Sequence, residues 1–180
     1  MRGVAFVPLA CPACGDDLAG RAADRVAFCR ACRTAFRCDG GRLAALPAST
    51  VVLPPPGSGP GLALPFWARD HVAVPAFLTA RPLTLTRVAT RLLPGWPLEP
   101  GLAGPLPLGA RVRPEAISRI AALARPGDPG AGALRLLAVP ARQDGHRFRL
   151  AGFEGELFRD DIRESEDLVR LATPAPTVPA

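Results

Sequence analysis

CPACGDDL at residues 11–18 and FCRAC at residues 28–32 decide how this chain begins to fold, because each stretch contains a Cys-x-x-Cys pair. Fourteen residues separate the two pairs. A tetrahedral zinc site needs four thiolates at about 2.3 Å from one ion, and a Cys-x-x-Cys turn directs two sulfurs toward one point. Two such turns fill every coordination position, so none is left for a substrate. The pattern predicts one structural Zn²⁺ with the ligands Cys11, Cys14, Cys29 and Cys32.

Iron is the main alternative metal, because a rubredoxin-like iron site is also a tetrahedron of four thiolates. That fold usually has a longer separation between its cysteine pairs and several aromatic residues in its core, so zinc is favoured. The fifth cysteine, Cys38, lies six residues after Cys32 in a predicted strand. We expect Cys38 to be a small core residue, and a role as an alternative ligand stays open.

The chain is basic, with a formal net charge of +6 over 180 residues and a pI near 10.2. All 22 basic residues are arginine, and lysine, asparagine and tyrosine are absent. The absent residues share AT-rich codons, so a GC-rich bacterial genome explains part of the arginine excess. The first 47 residues hold seven Arg and four Asp, a net charge of +3, and the rest of the chain holds the other +3. This even spread does not favour nucleic-acid binding, which a concentrated basic block would promote through counterion release.

Cysteine usage indicates a reducing compartment. Five cysteines, with four in paired spacing and no secretory signal, argue for metal-bound thiolates in the cytoplasm and against disulfides. No run in the sequence approaches the roughly 18 apolar residues that a membrane span needs. We therefore expect a cytoplasmic protein without a membrane span.

The pattern predicts an α+β fold in two parts. Residues 1–46 form a small zinc ribbon of β-hairpins, and residues 47–61 form a Pro/Gly-rich linker. Residues 62–171 form a small α+β domain of unknown function, and residues 172–180 form a disordered tail. A ribbon this small buries little apolar surface, so the metal supplies much of its folding free energy.

Hairpin signals surround the second cysteine pair. Residues 16–18 and 25–28 are predicted to be the arms of one hairpin, and residues 35–38 and 42–46 the arms of another. The turn at residues 39–41, Asp-Gly-Gly, matches the twist of paired strands.

The two knuckles differ at the residue after the second cysteine. Gly15 follows Cys14 and can take a positive φ without a Cβ clash. Arg33 follows Cys32. An arginine at this position requires strained or altered turn geometry.

The elements of the second part follow from apolar periodicity and from Gly/Pro breaks. They are extended chain over residues 64–77, a helix from Pro82 to Leu93, a loop over residues 95–110, a second helix from Pro114 to residue 125, strands over residues 134–140, 146–150 and 152–158, and a helix over residues 160–171.

The sequence contains few groups for enzyme chemistry. The two histidines, His71 and His146, each lie near an aspartate, but no serine sits in a G-x-S-x-G nucleophile elbow. Without lysine, Schiff-base chemistry and a Walker-A phosphate site are excluded. The acid pairs at residues 160–161 and 166–167 fit a solvated helix face. We therefore predict no catalytic residues, no residues for an organic cofactor, and a protein that is not an enzyme.

The motifs CPACGDDL and FCRAC resemble the four-cysteine zinc ribbons at the N-terminus of many small bacterial proteins, over about residues 9–46. LPFW at residues 64–67, VPAF at residues 74–77 and the Arg81-Pro82 helix start look like an uncharacterised bacterial group with FW and PAF motifs after the ribbon. The first resemblance implies the fold and the metal. Zinc ribbons as a class serve in transcription, in translation, in protein contacts and as structural staples, so neither resemblance implies one role.

Three functions remain open at this point. The favoured one is a zinc-binding, non-enzymatic adaptor or assembly protein, in which the zinc is structural and the ribbon contacts another protein. The first alternative is a nucleic-acid-binding accessory factor, and the second is a rubredoxin-like electron carrier or redox sensor. The nucleic-acid alternative depends on the arginines of the ribbon, which are Arg21, Arg25, Arg30, Arg33, Arg37 and Arg42.

Overall fold

The structure is a computed structural model of mixed α and β composition, with two sheets and two α-helices. It describes residues 10–21, 23–54, 61–124, 132–144, 147–153 and 157–158. Several sequence predictions lie outside these residues, namely the role of His146, the helix over residues 160–171 and the tail over residues 172–180.

The first sheet is antiparallel and contains four strands in sequence order. The strands are β1 (Leu18–Ala19), β2 (Val26–Cys29), β3 (Ala35–Asp39) and β4 (Arg42–Leu46). The two predicted hairpins are therefore present. Gly40 and Gly41 make the second turn with φ of 54° and 85°, which is the conformation that a two-residue hairpin loop with the correct twist needs.

The second sheet has seven strands, with β9 at its centre. β9 pairs with β5 in parallel and with β6 and β10 in antiparallel orientation. The strands are β5 (Ala48–Val51), β6 (Gly61–Arg69), β7 (Val72–Pro75), β8 (Leu98–Pro100), β9 (Arg135–Asp144), β10 (Arg147–Leu150) and β11 (Leu157–Phe158).

The structure differs from the sequence prediction over residues 47–61, where a linker was expected. β5 lies in this stretch and β6 begins at Gly61. Thr50 and Val51 are buried, because β5 pairs with both β9 and β8 and its β-branched side chains pack on the sheet. The prolines that follow β5 concealed a short strand whose partners are distant in sequence.

The predicted loop over residues 95–110 also contains a strand, β8. β8 covers the edge of β5, and the Thr50 hydroxyl donates a hydrogen bond to the carbonyl of Gly101 at 3.0 Å. The amide of Ala103 donates to the same hydroxyl at 2.8 Å. An exposed sheet edge leaves backbone groups unpaired, and this proline-rich segment satisfies them.

Two helices pack on the second sheet. α1 (Pro82–Leu92) begins with the predicted proline, continues into a 3₁₀ turn at Leu93–Gly95, and contacts β7. α2 (Ala116–Ala124) contacts α1 and β7. Neither helix is long and apolar enough to cross a membrane, and the part of the chain that the structure describes contains no other helix that is.

β6 is buried on both of its faces. Leu64 and Phe66 belong to a cluster that includes Leu85 of α1, whereas Ala63 and Trp67 belong to a second cluster that includes Ile117 of α2. Successive side chains of a strand point to opposite faces, so the alternation along β6 divides the core into two layers. Each face of the sheet must therefore be covered by another part of the chain that packs against it.

The ribbon forms part of the second cover. Val26, Phe28, Ala35 and Leu46 lie in the same apolar cluster as Trp67 of β6. This cluster crosses the predicted boundary between residues 46 and 47. Burial of these ribbon side chains against the sheet adds hydrophobic stabilisation to that supplied by a metal.

Replacement of Phe66 by alanine should lower the free energy of unfolding by about 3–5 kcal/mol, because it leaves a cavity in the first cluster. Phe66 is fully buried, and its ring centroid lies 5.6 Å from that of Phe77. Urea unfolding of the metal-loaded protein, followed by the fluorescence of the buried tryptophans, measures this change. The control is Leu123→Ala on α2, where the side chain is 62% exposed and the loss should stay within about 0.5 kcal/mol. Equal losses in the two variants would contradict the core assignment.

Candidate metal centre

The four predicted ligands lie together at one end of the ribbon. The sulfurs of Cys11, Cys14, Cys29 and Cys32 are all within 4.8 Å of one another. The Cys11 and Cys32 sulfurs are 3.6 Å apart, and those of Cys14 and Cys29 are 3.4 Å apart. Four sulfurs about 2.3 Å from one Zn²⁺ would be separated by about 3.8 Å in a regular tetrahedron. The distances between the sulfurs fit a metal ion that four thiolates bind in a tetrahedron.

Local backbone geometry positions the sulfurs. The amide of Ala13 donates a hydrogen bond to the sulfur of Cys11, and the amide of Cys32 donates to that of Cys29, both at 3.4 Å. Gly15 has a φ of 81°, and its amide donates to the carbonyl of Cys11 at 2.8 Å. These bonds close each Cys-x-x-Cys turn and direct two N–H groups toward sulfurs that carry negative charge when they bind a metal.

The two exposed thiols of the site, Cys14 and Cys32, differ in their ease of ionisation. The Thr34 hydroxyl lies 3.2 Å from the sulfur of Cys32, and hydrogen bonds from the side chain and backbone of Thr34 lower the pKa of Cys32 to about 6. The backbone amide of Asp16 lowers the pKa of Cys14, but the Cys29 thiol, desolvation and the other two thiols together raise it to about 12. A cation among the four sulfurs favours their thiolate forms, since a metal ligated by sulfur deprotonates the thiol.

Cys11 and Cys29 are buried, whereas Cys14 and Cys32 are exposed. The buried pair packs with Phe36, and this small cluster anchors the site on the ribbon. One side of the site therefore faces the interior of the ribbon and the other faces solvent. With four sulfurs around one point, the arrangement suits a structural metal ion.

Cys38 does not join the other four cysteines. It lies on β3, is half-buried, and its thiol donates a long hydrogen bond of 3.9 Å to the carbonyl of Phe36. Burial raises the pKa of Cys38. Cys38 belongs to none of the three apolar clusters of the described residues, so its role as a small core residue stays a prediction.

Arg33, the residue that replaces glycine after the second knuckle, links the ribbon to the α+β part. Its φ of 61° is the left-handed conformation that the turn requires. The Nε atom donates to the carbonyl of Leu102 at 3.0 Å, and the guanidinium also donates to the carbonyl of Gly104. These bonds offset the strain of a non-glycine residue at this position, which costs roughly 1–2 kcal/mol.

A second contact joins the ribbon to residues 109–111. Asp24 is buried, accepts a hydrogen bond from the amide of Arg21 at 2.8 Å, and lies 3.5 Å from the Nε of Arg111. A Cβ at Gly109 would collide with the Asp24 carboxylate, so the close approach requires glycine. The amide of Arg25 donates to the carbonyl of Ala110 at 2.6 Å.

These contacts leave an open cleft of about 640 Å³ between the ribbon and residues 105–111. Residues 18–21 line one wall, together with Arg30 and Arg33. The sequence identified Arg33 as unusual, whereas the opposite wall was predicted only as part of a loop. A glycine- and proline-rich loop between two regular segments was the one indication.

The ribbon arginines are divided between two surfaces. Arg21, Arg30 and Arg33 line the cleft, whereas Arg25 and Arg37 line a separate cavity of about 250 Å³ beside Arg113. Arg42 lines neither. The six residues on which the nucleic-acid alternative depends therefore do not share one of these cavities.

Of the two histidines that lie near an aspartate in the sequence, His71 is described by the structure and lines neither cavity. His71 is exposed in the turn between β6 and β7, and Asp70 accepts a hydrogen bond from the amide of Gly132 at 2.7 Å. His146 and the side chain of Asp144 lie outside the described part of the chain.

Comparison with protein-family models, with curated proteins and with solved structures finds no match to this chain. The resemblance to zinc ribbons is consistent with the four converging cysteines. The resemblance of the following residues to a bacterial group with FW and PAF motifs stays a prediction.

Replacement of Cys14 by serine should abolish stoichiometric metal binding, because three thiolates cannot complete the tetrahedron. Cys38→Ser is the matched control and should keep one metal ion per chain, since Cys38 is not one of the four converging cysteines. Elemental analysis of the purified variants measures both values and identifies the metal. Limited proteolysis within residues 10–46 should be faster in Cys14→Ser only. Loss of metal from Cys38→Ser, or its retention in Cys14→Ser, would contradict this site.

The strain at Arg33 can be separated from its hydrogen bonds. Arg33→Ala loses the bonds but keeps the unfavourable φ, so unfolding should become easier by about 1–3 kcal/mol. Arg33→Gly also loses the bonds but removes the strain, so it should be more stable than Arg33→Ala by about 1 kcal/mol. Urea unfolding of both variants with metal bound measures the difference. An alanine variant at least as stable as the glycine variant would show that the residue is not strained.

Proposed function

We propose that this chain is a zinc-binding, non-enzymatic adaptor or assembly protein of the cytoplasm. One structural Zn²⁺ is bound by Cys11, Cys14, Cys29 and Cys32, and the ribbon that it stabilises contacts another protein. Zinc suits this role because it holds four thiolates in a tetrahedron and has no redox chemistry of its own.

The observation that carries the proposal is the position of the metal site beside the cleft. Arg33 directly follows the ligand Cys32 and is bonded to the carbonyls of Leu102 and Gly104. It also lines the cleft, so the conformation of the metal knuckle and the geometry of this surface are coupled. A metal ion that fixes the knuckle would thereby fix one wall of a binding surface without taking part in a reaction.

The two alternatives have less support. Nucleic-acid binding by the ribbon was to depend on six arginines acting on one face. Three of them line the cleft, two line the separate cavity, and Arg42 lines neither. An electron carrier would need iron in the four-sulfur site. The metal analysis of the purified protein separates zinc from iron, since a rubredoxin-like iron site is coloured and zinc is not.

The proposed function is tested by affinity purification of the tagged full-length chain from its native host, after nuclease treatment. We expect a specific protein to co-purify with the unmodified chain and with Cys38→Ser, but not with Cys14→Ser. The purified partner should then bind the purified chain at a fixed ratio in calorimetry. A partner that disappears on nuclease treatment, or one that binds Cys14→Ser equally well, would overturn the proposal.

A further inference from the structure

The cleft between the ribbon and residues 105–111 has a basic lining. Among the described residues that line it, four are arginines and one, Asp24, is acidic. These side chains carry a net charge of +3, from four positive groups and one negative group. The basic residues are Arg21, Arg30, Arg33 and Arg111.

The arginines of the cleft differ in the hydrogen bonds and ion pairs that they make. Arg111 faces Asp24, and Arg33 is bonded to backbone carbonyls, which are neutral and leave its charge unbalanced. Arg30 is exposed and makes no hydrogen bond or ion pair with the residues that the structure describes. Residues 55–60, which precede Gly61 of the cleft and lie outside the described residues, contain no charged side chain in the sequence. The adjoining sequence thus supplies no acid to balance Arg30.

The floor of the cleft is apolar. Phe28, Leu62 and Leu108 line it and are buried, whereas Leu18 and Leu106 are partly exposed to it. A small inorganic anion would pair with the arginines but would leave the exposed parts of Leu18 and Leu106 in water. An occupant that both balances the arginine charge and covers the apolar surface carries aliphatic groups as well as negative charge.

The ribbon wall ends in a strand edge. β1 pairs with β2 on one side, and no other described strand pairs with its outer edge, although Asp17, directly before β1, forms an antiparallel bridge with Ala10. Leu18, Ala19 and Gly20 all line the cleft, so the backbone of this edge borders the open space. An exposed strand edge can bind an extended peptide through main-chain hydrogen bonds.

We propose that the cleft binds an extended peptide segment of a partner protein in which acidic residues alternate with aliphatic residues. This inference rests on the proposed adaptor function and names the partner chemistry. Side chains of an extended segment point alternately to opposite sides, so one set faces the partly exposed side chains of Leu18 and Leu106. The other set faces the exposed guanidinium of Arg30, where a carboxylate forms a charge-assisted hydrogen bond. Nucleic acid fits less well, because Phe28, the one aromatic side chain among the described lining residues, is buried and offers no stacking surface.

The probe is a fluorescein-labelled octapeptide in which glutamate alternates with leucine, measured by fluorescence anisotropy against the zinc-loaded full chain. We expect saturable binding that weakens as salt rises, because part of the affinity is electrostatic. The matched peptide with glutamine in place of glutamate should bind at least about tenfold more weakly.

Two arginine variants locate the binding. Arg30→Glu should weaken binding of the acidic peptide by at least about tenfold, since it replaces an attractive charge with a repulsive one. Arg42→Glu is the control, because Arg42 is an exposed ribbon arginine outside the cleft. The affinity of this variant for the acidic peptide should change by less than about twofold. Both variants should retain one zinc ion, which excludes unfolding of the ribbon as the cause.

Several results would overturn the inference. They are equal affinity of Arg30→Glu and the unmodified chain, equal affinity of the two peptides, and Arg30-dependent binding of a thymidine oligonucleotide or of inorganic phosphate without binding of the acidic peptide.

The acids at residues 160–167 are a competing occupant within the chain. If the peptide binds only after these acids are replaced by their amides, the cleft belongs to the chain's own segment and not to a partner. If the acidic peptide does not bind while a zinc-dependent partner still co-purifies, this inference is wrong and the proposed adaptor function is unaffected.

Discussion

Burial of β6 on both faces is the constraint on which the rest of the structure depends. Leu64 and Phe66 point into one apolar layer, and Ala63 and Trp67 point into the other. Since a sheet with two apolar faces is stable only when both are covered, the chain needs two covers. α1 contributes to one of them, and α2 contributes to the other together with the ribbon. The ribbon is thereby part of the hydrophobic core in addition to being a metal-binding unit.

The metal site and the core act on the same segment of the ribbon. β2 ends at Cys29, a candidate ligand, and also carries Val26 and Phe28, which pack into the second apolar layer. Because a strand that ends at a fixed ligand has little freedom to move, metal binding and core packing support each other. Arg33 extends this coupling to the carbonyls of Leu102 and Gly104. If the cleft is the binding surface that we propose, its shape depends on the metal and its charge on the arginines.

Much of the fold could be predicted from local sequence signals. The Asp39-Gly40-Gly41 turn specified the hairpin of β3 and β4, and Pro82 specified the first turn of α1. β5 was missed because its residues precede a proline run and its pairing partner in β9 is more than eighty residues away. β8 was missed because three residues between prolines and glycines carry no periodicity. Local patterns reveal elements whose stability is local, and non-local strand pairing leaves little trace in such patterns.

The sequence by itself determined the candidate ligands, because two Cys-x-x-Cys turns on a hairpin bring four sulfurs together almost regardless of the rest of the chain. It also identified Arg33 as a residue under conformational strain. Only the tertiary structure decided where that arginine is bonded, how Asp24 approaches Gly109, and that Arg30 faces a cleft with an apolar floor. The physical reason is that a metal site of this kind is built from residues close in sequence. The cleft lies instead between two surfaces about eighty residues apart, which meet only when the second apolar face of the sheet is covered.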